Sequence, residues 1–112
     1  MKRFFALFAA LTLLCTGISA QTAACRTETG IAYRDAAGDG YVDSLCRLYL
    51  CWPADRKGFP TVVWFHGGGL TGGRREIPKA LCDKGFAVVG VDYRLAPRVK
   101  VSDCVADAAA AA

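Results

Sequence analysis

Histidine occurs once in the 112 residues, and none of the three serines, Ser19, Ser44 and Ser102, stands in a Gly-x-Ser-x-Gly motif. Chemistry that relies on a serine presented by a sharp strand-to-helix turn therefore lacks its nucleophile here. No Gly-Lys-Ser/Thr follows a glycine run, which excludes a phosphate-binding loop of that type. The cysteine spacing resembles no zinc site. The longest apolar stretch, Phe4 to Leu14, rises only about 16 Å as a helix against the roughly 30 Å of a bilayer core, so no membrane span is expected. Beyond residue 20 the only adjacent basic pairs are Arg56-Lys57 and Arg74-Arg75. Without an aromatic stacking platform beside them they read as solvated surface, and no nucleic-acid partner is expected.

What is present begins with an export signal. Lys2 and Arg3 precede the apolar stretch, and Ile18-Ser19-Ala20 supplies small residues before Gln21, the pattern of a secretory signal peptide over residues 1–20. The mature chain, 21–112, is expected to be secreted or periplasmic, with a lipid-anchored start at Cys25 as the lesser alternative. Past the signal, twelve basic and ten acidic side chains are interspersed, a balance that recommends no charged partner. Five cysteines remain: Cys25, Cys46, Cys51, Cys82 and Cys104. An oxidising compartment makes at least some of them disulfide candidates. Cys46 and Cys51 cannot bridge each other along one strand, where about 16 Å separates their Cα atoms.

The middle of the chain reads as strand, strand, helix, strand. Leu45 to Trp52 alternates with the period of a half-buried, antiparallel strand. Thr61 to Phe65 is a short continuous apolar run, expected to be central and covered on both faces. Pro78 suits the first turn of a helix carrying Ala80, Leu81 and Cys82 and closed by Gly85. Phe86 to Val91 is again apolar, so a crossover to a parallel neighbour is expected, with uncovered edges on this third strand. Ser102 and Asp103 are expected caps of a last helix from Val105 onward, and the alanines from Ala108 to Ala112 read as a helix cut before its end.

The second strand opens directly into His66-Gly67-Gly68-Gly69. Consecutive glycines let a reacting carbonyl approach the backbone, and preorganised N–H donors stabilise the oxyanion formed during acyl transfer. Gly68 and Gly69 are the candidate donors, with His66 and Gly67 supporting the turn. A dinucleotide-binding reading also fits the spacing Gly67-x-Gly69-x-x-Gly72 with Asp92 twenty residues on. Pro78 argues against it, because it would interrupt a helix opened within the glycines, at a cost of about 3 kcal/mol. His66 ends a strand beside the loop, where a hydrogen bond to loop backbone is expected in place of a catalytic role.

His66-Gly67-Gly68-Gly69, then Gly72-Gly73, then Asp92-Tyr93-Arg94-Leu95-Ala96-Pro97 together resemble the α/β-hydrolase carboxylesterases and lipases, most of all secreted bacterial esterases of the acetyl and feruloyl esterase-like group. The resemblance runs from about Leu45 onward. It implies an α/β fold class, the N-terminal part of an α/β-hydrolase domain with a mostly parallel sheet and flanking helices, cut within a helix before the nucleophile. It further implies backbone donors at Gly68 and Gly69, structural roles for Asp92 and Arg94, and no cofactor or metal. The expected substrate is a small-molecule or carbohydrate-linked ester, cleaved by the complete enzyme, with this piece inactive. A non-catalytic remnant and an amide- or peptide-cleaving hydrolase of the same fold are the alternatives.

Overall fold

The computed structural model describes residues 25–112. The expected signal peptide, the expected mature terminus at Gln21 and Cys15 lie outside the described residues. Within them the order is β1 (Cys25–Ala32), α1 (Gly40–Leu45), β2 (Arg47–Pro53), β3 (Thr61–Phe65), one 3-10 turn (Lys79–Leu81), β4 (Ala87–Val91) and α2 (Val101–Ala111).

The strands form one mixed sheet in the order β1-β2-β4-β3. β1 and β2 are antiparallel, as are β2 and β4, while β3 and β4 run parallel in the register Thr61 to Ala87 through Phe65 to Val91. The expected parallel pair and early antiparallel strand are therefore both present. The apolar β4 is one of the two inner strands, with Ala87, Val88 and Val91 buried. Burial of a valine side chain contributes about 1.5–3 kcal/mol, and β4 places two of them in the core at Val88 and Val91.

Two expectations about strand position are corrected. β3 is not central: it occupies an edge, with Trp64 37% and Phe65 39% exposed. No strand among the described residues pairs with its outer side, so an apolar run suited to two-sided burial is covered only in part. β4, expected to have uncovered edges, is paired on both sides because β2 inserts next to it.

The helical expectations also change. The segment after Pro78 makes a single 3-10 turn, with Leu81 N–H donating to Pro78 O at 2.9 Å, and no longer helix. Asp83, at φ 55°, already leaves helical geometry before Gly85 at φ 87°. α2 starts four residues earlier than expected, at Val101, and its cap involves Asp103 alone: the Lys100 N–H donates to Asp103 Oδ2 at 3.1 Å, while Ser102 sits exposed within the first turn. The buried face of α2 is Cys104 and Asp107, one turn apart. α1 is a short helix capped by Asp39, whose carboxylate accepts from Tyr41 N–H at 2.8 Å and Val42 N–H at 3.3 Å. All five described cysteines are free thiols.

Candidate functional site

Parallel pairing of β3 and β4 brings the loops that follow them, residues 66–73 and 92–97, to one end of the sheet. This is the carboxyl end of the strands, where open α/β sheets place their ligands. Two connections hold the loops together. The Ala96 N–H donates to Leu70 O at 2.8 Å, and the Tyr93 hydroxyl donates to His66 O at 2.8 Å.

The glycine loop turns tightly. Thr71 and Gly72 N–H both donate to Gly68 O at 3.2 Å, and Gly69 and Leu70 have positive φ of 61° and 64°. Left-handed geometry at Leu70 costs roughly 1–2 kcal/mol, strain of the kind that clusters in functional turns. Gly68 is required sterically, since at φ 128° a Cβ there would overlap the Gly72 carbonyl oxygen. Gly73 is required as well: a Cβ would collide with Gly67 O and His66 Nδ1. Neither the Gly68 nor the Gly69 N–H donates to an acceptor among the described residues.

His66 is buried beside this loop. Its Nδ1 is 2.8 Å from Gly67 O; a carbonyl only accepts, so Nδ1 carries the proton. The ring stacks on Tyr93 with centroids 4.6 Å apart and planes 10° from parallel. The Nε2 atom is buried without a hydrogen-bond partner, 3.5 Å from Asp92 Oδ1. The lone histidine is therefore committed to loop architecture, as its position beside the glycines implied, and no described serine reaches it. Ser44 donates to Tyr41 O at 3.2 Å inside α1.

Asp92 is an ion-pair residue. Arg75 reaches it through Nη1, 2.6 Å from Oδ2, and through its backbone N–H to Oδ1. Arg75 was expected on the solvated surface, and that reading is corrected: the carboxylate at the end of β4 draws its guanidinium into the loop cluster. Arg56 is paired only at the surface, with Asp55 at 3.4 Å.

A second charged cluster braces the far side of the 92–97 loop. Arg94 binds Asp107 through Nε at 2.8 Å and Nη2 at 2.9 Å, its own backbone N–H donates to Asp107 Oδ2 at 3.1 Å, and Arg34 Nη1 also meets Asp107 Oδ1. Burial, which disfavours the charged carboxylate, is outweighed by these arginine hydrogen bonds, and the Asp107 carboxyl is held down at about 2. The same pairing raises the Arg94 guanidinium above its ordinary value. Tyr33 donates to Asp92 O at 2.6 Å, and burial pushes its phenol up.

Sequence reasoning singled out Gly68, Gly69, His66, Asp92 and Arg94, which the fold gathers at this end of the sheet, but missed the structural roles of Arg75, Tyr93 and Asp107. Only Tyr93 carried a signal, as the aromatic following a strand-terminal aspartate. Asp107 stands among alanines and shows its role only once α2 is set against the loop.

The mixed sheet, its parallel pair ending in a glycine loop, fits the N-terminal part of an α/β-hydrolase fold. Residues 62–112 match the model of a family described by its alpha/beta hydrolase fold. The carboxylic ester hydrolase LipN of Mycobacterium tuberculosis is 39% identical over 64 residues, which is 53% of this chain and 17% of that protein. A non-reducing polyketide synthase of Acremonium egyptiacum is 33% identical over 78 residues, 65% of this chain and 4% of the synthase. Crystal structures of esterase B from Lactobacillus rhamnosis align with a TM-score of 0.65 at 33% identity, covering 78% of this chain and 28% of the esterase. One of those structures is inhibited by a tributyrin phosphonate. The chain is thus similar to carboxylic ester hydrolases and spans 17% of LipN and 28% of esterase B.

Proposed function

We propose that this chain supplies the oxyanion-binding half of a secreted serine carboxylesterase. The observation that carries the reading is the pair of uncommitted N–H groups at Gly68 and Gly69, set at the carboxyl end of β3 in a loop fixed by Tyr93 and Ala96. In the complete enzyme a serine attacks the ester carbonyl, the two amides hold the oxygen as it becomes negative, and water releases the acid from the acyl-enzyme. Each such donor contributes about 2.7–4 kcal/mol to the transition state. The substrates are carboxylic esters, and export together with the sequence resemblance points to acetyl or feruloyl groups on extracellular carbohydrate. The 112-residue piece is inactive by itself, since its histidine is bound into the loop and its described serines sit in helix turns.

The test compares this chain with the product of the same reading frame extended through a downstream Gly-x-Ser-x-Gly. The extended product is expected to release acetate or ferulate from decorated xylan and to be labelled by a phosphonate ester. The shorter chain is expected to do neither. Exclusive cleavage of lipid esters overturns the carbohydrate assignment, and the absence of a downstream nucleophile motif favours a non-catalytic remnant. Mass spectrometry of the mature terminus at Gln21 tests export.

A further inference from the structure

Cys25 and Cys51 share one face of the sheet. In the β1/β2 ladder Cys25 faces Pro53 and Thr27 faces Cys51, so the two cysteines are diagonal neighbours on adjacent strands. Diagonal positions lie about 7–8 Å apart, and somewhat less between Cβ atoms, just beyond the roughly 4.4–6.8 Å that a disulfide spans, so closing a bridge requires the backbone to shift by about 1 Å or more. Cys25 is the first residue of β1, where a small movement of the strand end disturbs little of the ladder. Cys25 Sγ donates to Asp83 Oδ1 at 2.9 Å, and that hydrogen bond first, then burial and the nearby Cys51, push the Cys25 thiol up to about 11. Cys82, one residue before Asp83, turns its thiol toward Pro78 O at 3.6 Å. Cys46 and Cys104 are buried elsewhere in the core, and Cys104 donates to Lys100 O at 3.5 Å.

We propose that Cys25 and Cys51 are a disulfide-forming pair, oxidised by low-molecular-weight disulfides such as glutathione disulfide to a bridge that fastens β1 to β2. The partly exposed Cys25, as thiolate, attacks one sulfur of glutathione disulfide and expels one glutathione thiolate. The Cys51 thiolate then attacks Cys25 Sγ and expels the second. The two protein protons end on the two departing glutathiones, so one disulfide is consumed and one formed. Closing the bridge breaks the hydrogen bond from Cys25 to Asp83. The proposal is independent of the glycine loop and stands or falls apart from the esterase reading.

The experiment treats the whole gene product, under mildly alkaline native conditions, with glutathione disulfide, blocks remaining thiols with N-ethylmaleimide after denaturation, and maps tryptic peptides. Arg26, Arg47, Arg56, Lys79 and Lys84 place Cys25, Cys51 and Cys82 in separate peptides. The expected product joins the peptide ending at Arg26 to Leu48–Arg56, protects both cysteines from alkylation, and is reversed by dithiothreitol. Cys82→Ser retains the link and Cys25→Ser, at the strand end, leaves Cys51 open to alkylation. A bridge from either cysteine to Cys82, glutathione adducts without a bridge, or an equal yield of the same link in concentrated urea overturns the proposal.

Discussion

Arg94 holds Asp107 in a two-pronged ion pair, with Nε 2.8 Å from Oδ2 and Nη2 2.9 Å from Oδ1, although Asp107 has no solvent exposure. Asp107 thereby joins α2 to the loop after β4, and Arg34 extends the junction to the segment after β1. Removing Asp107 leaves the mostly buried Arg94 and the partly exposed Arg34 without their countercharge, a loss of up to roughly 3–5 kcal/mol. Asp107→Ala is therefore expected to lower stability by about that amount in denaturant unfolding. Arg94→Lys should fail to restore it, because an ammonium cannot engage both oxygens at once.

The same carboxylate sets an acid limit. Its folded value of about 2 lies below the ordinary 3.8, so the unfolded state binds its proton first as pH falls. The stabilisation, roughly 2 kcal/mol, is complete above pH 4 and is lost as pH drops from about 4 through about 2. Stability measured against pH should show this loss in the native sequence. In Asp107→Asn the decline across that window should be shallower.

Tyr93→Phe isolates the bond between the two loops. The ring still stacks on His66, but the His66 carbonyl loses its buried donor. A stability loss of about 1–3 kcal/mol is expected. In the extended enzyme the same variant should lower kcat more than it raises KM, since the carbonyl it frees belongs to the residue that starts the glycine loop.

Gly68→Ala tests the loop itself. The added methyl overlaps the Gly72 carbonyl oxygen at a positive φ, so the turn must open. In the extended enzyme a fall in kcat of about 100- to 1000-fold is expected with KM little changed, the signature of a group acting on the transition state. Retention of full kcat would remove Gly68 from the reaction.

The strands around the site were legible because hydrophobic period and the turn residues agreed: Leu48 to Trp52 alternated, and Val62 to Phe65 and Ala87 to Val91 ran unbroken. β1 was not legible, since six of its eight residues, Arg26 to Gly30 and Ala32, are exposed and carry little apolar pattern. α1 left a faint trace in Asp39, a capping residue after a glycine, but six residues are too few for helical period to show. The turn after Pro78 was overread as a helix: Pro78 fits a first turn, yet Asp83 takes a left-handed conformation only two residues past the 3-10 turn. Edge and centre could not be told apart because pairing order is a property of the assembled sheet. Asp107 was invisible for a related reason, since its arginine partners lie 13 and 73 residues away.

The level ending of β3 and β4, with Phe65 beside Val91, leaves no slack in the chain. Deleting one residue from β4 would pull the following segment back by a single pleat and exchange its two sides. Arg75 would then meet the phenol where it now meets a carboxylate, and the imidazole would lose its stacking partner. Length variation in descendants of this sequence is therefore expected to spare 87–93 and to accumulate in the stretch between Gly73 and Pro78.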